Sequence, residues 1–115
     1  MGLLRSVSIA AKRNVVECLV ILVNEIIWKP EILEKIEKKH GVRDVEVQEI
    51  LHGRKKTYRV ERGNVKGEDV WLALGRTSSG RYLSVFFIFK EKEHAALPIS
   101  ARDMDSKERR RYEGK

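Results

Sequence analysis

The sequence predicts an α+β fold: a small antiparallel sheet packed with two N-terminal helices and a C-terminal helix, in the order β-α-α-β-β-β-β-α. Three observations predict it. Helical periodicity is confined to the stretches Pro30–His40 and Asp44–Leu51 and to the charged stretch after Asp105. Between them lies a run of segments rich in β-branched and aromatic residues, separated by turn signals. Runs of strands flanked by helices, without β-α alternation, indicate α+β.

The first 23 residues are read as an extra segment or leader outside the domain. Arg5, Lys12 and Arg13 precede the apolar stretch Val15–Val23, an arrangement like that of a signal peptide. Glu17 interrupts the run, no small-x-small cleavage site follows, and the apolar segment is far shorter than the roughly 18 residues of a membrane span. The domain is therefore placed at residues 24–115.

Glu25–Trp28 is short and β-prone, and Pro30 suits the first turn of a helix whose apolar positions are Ile32, Leu33 and Ile36 and whose stop is Gly41. Asp44 is the expected N-cap of a second helix, with Val45, Ile50 and Leu51 on its buried side and Gly53 at its end. Extended segments are expected at Arg54–Arg62, Val70–Leu74, Tyr82–Phe89 and His94–Ile99. Gly63-Asn64 and Lys66-Gly67 are turns, and Thr77–Gly80 is a hairpin loop. Leu83–Phe89 is too continuously apolar for an edge and is expected at the centre of the sheet, while Trp28 and Trp71 are assigned to the core. Asp105 and Glu108 have capping-box spacing and open the last helix.

The chain of 115 residues carries 24 Lys and Arg against 17 Asp and Glu, which favours a polyanionic partner. The excess is concentrated between Lys38 and Lys66, where nine cations face four acids. A solvated basic surface and a nucleic-acid contact both satisfy that charge. Cys18 is the single cysteine, which rules out an internal disulfide and fits a reducing cytoplasm. The three histidines, His40, His52 and His94, lack metal-ligand spacing, so neither a metal nor another cofactor is expected.

Several short motifs occur together in order: Ile26-Ile27-Trp28, Lys39-His40-Gly41-Val42, Leu74-Gly75-Arg76-Thr77 with Gly80-Arg81, and Ile99-Ser100-Ala101-Arg102 with Glu108-Arg109-Arg110 and Tyr112. In these the chain resembles the BrnT-like toxins of bacterial and archaeal toxin–antitoxin pairs, over Asn24–Glu113. The resemblance implies a RelE-like fold, metal-independent endoribonuclease activity that blocks translation, and a small cognate antitoxin, with an oligomeric toxin–antitoxin complex left open. The alternative is a non-catalytic module that binds nucleic acid or protein through the same basic surface.

Metal-free RNA cleavage needs an activated 2′-hydroxyl, a stabilised phosphorane and a protonated leaving oxygen. Arginine suits the middle task because its fork binds phosphate oxygens and keeps its charge. Arg76 and Arg102 are the expected phosphate clamp, with Arg81 beside them. The junction from the last strand into the last helix brings helix N–H groups near Arg102, an arrangement suited to an anion. His40 either transfers protons or caps the first helix. Tyr112 and Glu108, four apart, share a helix face. Tyr112 is a proton donor, a stacking surface for a base or a sheet anchor, and Glu108 a base, an orienter of Arg102 or simply a cap. Lys39, Arg54, Lys55, Lys56, Arg81 and Arg109 are the expected RNA contacts, with Arg109 in a basic run that forms a diffuse docking surface.

Overall fold

The computed structural model describes residues 21–61 and 68–114. The chain runs β1 (Glu25–Ile26), α1 (Pro30–His40), α2 (Asp44–His52), β2 (Lys55–Glu61), β3 (Val70–Arg76), β4 (Tyr82–Lys90), β5 (Ala95–Asp103) and α3 (Ser106–Glu113), in the predicted order. The five strands lie side by side as β1-β5-β4-β3-β2, so β4 is central as its apolar run requires.

The sheet is mixed rather than purely antiparallel. β2, β3, β4 and β5 pair antiparallel, but β1 lies parallel to β5 through Glu25–Ala95 and Ile26–Ala96. A parallel neighbour needs a long crossover, which the two helices and three intervening strands provide.

Both faces of the sheet are covered. On one face Trp71, Ala73, Leu83, Val85, Phe87, Phe89, Ala96 and Ala101 meet Ile36 of α1, Val42, and Val47, Ile50 and Leu51 of α2. Ile21 and Val23, assigned by the sequence to a segment outside the domain, are also buried in this core, and His52 Nδ1 lies 3.1 Å from the Val23 carbonyl oxygen. Trp71 is buried, while Trp28 packs half-buried at the margin. The opposite face is smaller: Tyr58, Leu72 and Leu74 lie under Met104 and Tyr112, with Phe86 beside them.

Two sequence assignments shift. Arg43, not Asp44, is the N-cap of α2, and its amide donates to Glu46 Oε1 at 3.0 Å. In that phase Val47, Ile50 and Leu51 face the sheet, and Val45, two residues from Val47, is turned out and 50% exposed. β5 also runs past Ile99 to Asp103, which makes Ser100, Ala101 and Arg102 strand residues rather than part of the junction into the last helix. It does so through a bulge, because Phe86 opposes Ser100 and Phe87 opposes Pro98, leaving Ile99 as the extra residue. The bulge inverts the alternation of everything after it and turns Arg102 toward the α3 face. The expected turns at Gly63-Asn64 and Lys66-Gly67 lie outside the described residues.

At Gly75 the backbone of β3 lies close against α2. A Cβ there would stand 2.9 Å from Cδ1 and 3.0 Å from Cγ2 of the buried Ile50. Gly75→Ala is expected to lower stability by about 1–3 kcal/mol through overpacking, read as a shift of the urea midpoint at unchanged slope.

Candidate active site

The strand ends gather the predicted residues at one end of the sheet. Lys55 pairs with Gly75, Arg76 with Tyr82, and Ser84 with Arg102, so the start of β2, the end of β3, the start of β4 and the end of β5 are neighbours. The alternation of side chains then divides them between the two faces.

Arg81 belongs to the α1–α2 side. Its Nε and Nη2 donate to Asp103 at 2.8 and 3.3 Å, Nη1 donates to Glu46 Oε1 at 3.1 Å and to the Gly41 carbonyl at 2.9 Å, and Nη2 donates to the His40 carbonyl at 3.0 Å. Guanidinium has five N–H groups, and these bonds use them all. Arg81 therefore fastens the C-terminus of α1 and the N-terminal turn of α2 to the end of β5, with no donor left for RNA. The Arg81 hydrogen bonds hold the Asp103 carboxyl below the usual carboxylate range. His40 is on this side too: its carbonyl is engaged, and it is exposed together with Lys39.

Arg102 lies on the α3 side. It forms a bidentate pair with Glu108, Nη1 to Oε1 and Nη2 to Oε2, both at 2.8 Å. Glu108 Oε1 also accepts from Ser84 Oγ at 2.8 Å and from the Asp105 amide at 3.0 Å, and Asp105 Oδ1 accepts from the Glu108 amide at 2.7 Å. The expected capping box is present, and it alters the expected anion site. The carboxylate that completes the cap also fills the Arg102 fork, so an internal anion stands where a phosphate was expected.

Arg76 is different. It is exposed, its guanidinium carbon lies 5.2 Å from the Tyr82 ring centre, and among the described residues no carboxylate is within ion-pair distance of it. Tyr82 is the hub of this side: Tyr112 packs edge-on against it at 5.9 Å and 80°, and Arg109 lies over its ring at 3.7 Å. Tyr82 and Ser84 were missed by sequence reasoning. In the observed register the five residues Thr77–Arg81 lie between the strands, one more than the expected loop, which sets Tyr82 opposite Arg76; strict alternation then adds Ser84 to the same face.

The remaining basic residues divide in the same way. Lys56 Nζ donates to the Arg111 carbonyl at 3.2 Å and so closes the end of α3. Lys55 is turned to the other face, where burial pushes its ammonium below the ordinary value; with Arg54, Leu51 and His52 it lines a cavity of about 500 Å³. The structure thus brings Arg76, Arg102, Glu108, Arg109 and Tyr112 together, and sets His40, Lys39, Arg81, Arg54 and Lys55 apart from them. Among the described residues no three His, Cys, Asp or Glu side chains are grouped as metal ligands, and no helix is long and apolar enough to cross a membrane.

Burial pushes the Glu108 carboxyl up, but the hydrogen bonds from Arg102, Asp105 and Ser84 and the Arg102 charge outweigh it, leaving it below its ordinary 4.5. A carboxyl lowered by folding stabilises the fold above its ordinary value and loses that contribution as pH falls through the lowered one. Wild type should therefore exceed Glu108→Gln in stability by about 1–3 kcal/mol at pH 7. The gap should narrow only below about pH 4.5, as followed by urea melts at stepped pH.

No curated protein matches the chain. Residues 28–108 match the family model described as ribonuclease toxin, BrnT, of type II toxin-antitoxin system. That span runs from Trp28, beside the first strand, to Glu108, the carboxylate bound to Arg102, and covers more than half of the sequence. The chain belongs to the BrnT family of ribonuclease toxins, which act on RNA and are paired with an antitoxin protein.

Proposed function

We propose that this toxin cleaves RNA in the cytoplasm without a metal ion, and that Arg76 holds the scissile phosphate. One observation carries the assignment: Arg76 is held at this end of the sheet by an aromatic ring, with no carboxylate to neutralise it among the described residues. Its guanidinium is free to bind two non-bridging oxygens as negative charge grows on the phosphorane. The 2′-oxygen passes its proton to solvent water and attacks phosphorus, the P–O5′ bond breaks, and O5′ leaves with a proton. The products end in a 2′,3′-cyclic phosphate and a 5′-hydroxyl. Tyr112, which shares the Tyr82 ring with Arg76, is the proton donor to O5′.

In this reading Arg102 and Glu108 are positioning residues. Their bidentate pair and the bond from Ser84 lock α3 against the sheet and thereby fix Tyr112. His40, on the other face, takes no part in the chemistry. The residual basic surface draws RNA and also suits an antitoxin with an acidic contact surface.

Purified protein should cut single-stranded RNA in excess EDTA and leave cyclic phosphate ends; RNA that stays intact at high protein concentration overturns the proposal. Arg76→Ala should reduce the cleavage rate by about 10²–10³-fold, the effect of removing one preorganised donor from a developing oxyanion. His40→Ala should stay within about threefold of wild type, since a residue outside the reacting centre takes no share of the barrier. Both rates are read from single-turnover assays.

A further inference from the structure

Arg109 stands apart from the other ring-bound arginines. Arg59, Arg76, Arg102 and Arg111 lie 4.7–5.8 Å from the centres of their aromatic partners, whereas Arg109 lies 3.7 Å above Tyr82, a flat stacking distance. Two contacts define its plane. Tyr82 supports one face, and Glu113 Oε2 accepts from Nε at 3.4 Å along one edge. Tyr82 is itself braced by Tyr112. The Arg109 side chain remains 52% exposed, so the face turned away from Tyr82 is open to solvent. An ordinary surface arginine moves among many rotamers; this one is a prepared flat surface.

Beside it lies an open groove of about 480 Å³ lined by Met104, Asp105, Ser106, Arg109, Arg110 and Glu113. That volume is large enough for a planar heterocycle beside the guanidinium. The groove's carboxylates are only partly engaged: Asp105 uses Oδ1 for the Glu108 amide, and Glu113 uses Oε2 for Arg109. Their second oxygens are acceptors suited to an exocyclic amine.

We propose that Arg109, held on Tyr82, is a stacking platform for a nucleobase, and that the groove prefers an amino-bearing purine over uracil. The proposal rests on the RNA-cleavage reading in one respect only: Tyr82 also touches Arg76, so the stacked base belongs to a nucleotide next to the bound phosphate. Guanidinium planes and aromatic rings both receive splayed bases in single-stranded RNA, and purines stack more strongly than pyrimidines. The site assigns a specific role to one arginine of the Arg109-Arg110-Arg111 run, which the sequence shows only as a basic patch.

The test uses the full chain and a 2′-O-methyl RNA oligonucleotide, which cannot be cut through its blocked 2′-oxygens. A single 2-aminopurine is placed at each position in turn, and its fluorescence is quenched on stacking. Wild type and Tyr82→Phe should quench it at one position. Arg109→Lys keeps the charge but loses the plane, so it should abolish that quench and weaken binding by about five- to hundredfold, the range that stacking of one base provides. Quenching by Arg109→Lys equal to wild type overturns the proposal, as does absence of quenching at every position with or without binding. Position-specific quenching by a wild-type protein that fails to cut unmodified RNA would leave the base site standing and remove the nuclease reading. Cleavage at unchanged positions with an unchanged quench in Arg109→Lys would do the reverse.

Discussion

The Glu108 carboxylate is the point on which the α3 side of the molecule depends. It closes the cap of α3, fills the Arg102 fork and accepts from Ser84 of the central strand. α3 has only eight residues and none of them is fully buried, so apolar packing alone would hold it weakly. A carboxylate with four donors converts that short helix into a fixed part of the sheet, and Tyr112 and Arg109 inherit their positions from it. Replacing either member of so enclosed a pair leaves the other charge poorly compensated, which is why the network acts as one unit.

Net charge alone would suggest that every arginine at this end of the sheet is available to RNA. The bonding says otherwise. Arg81 spends all five donors on the protein, Arg102 is neutralised by Glu108, and Lys56 closes a helix end. Arg76 and Arg109 are supported mainly by the ring of Tyr82, a partner that orients a guanidinium without cancelling its charge. The difference between a structural and a functional arginine here is whether its partner is a carboxylate or an aromatic ring. Glu113 on the edge of Arg109 tempers that contrast, through a long bond of 3.4 Å.

The element order was legible because each element carries its own local signal: Pro30 and Gly41 at the ends of α1, the capping box of α3, and the unbroken apolar run of β4. That Glu108 and Tyr112 share a helix face was also legible, from their i, i+4 spacing. Two things were not. The parallel pairing of β1 depends on contacts some 70 residues apart and leaves no local trace. The bulge at Ile99 reverses the face of Arg102, and a single extra residue in an apolar strand does not announce itself in the sequence. The other basic residues divide by the pairing of β2, β3 and β4, in which Lys55 and Lys56 alternate and Arg81 lies in the connection before Tyr82, which explains why Arg81 could be grouped with residues it does not meet. Val45 was misplaced for a related reason, a one-residue shift in the start of α2.

The position of β5 imposes an order on synthesis. β1 pairs with Ala95 and Ala96, Arg81 finds its principal acceptor only at Asp103, and Arg102, Glu108 and Tyr112 all follow. A nascent chain that has emerged only as far as the β3–β4 hairpin has an unpartnered β1, a loose Arg81 and an Arg76 with no α3 beside it. The parts that form the proposed cleft therefore come together only once β5 and α3 have followed the hairpin out of the ribosome.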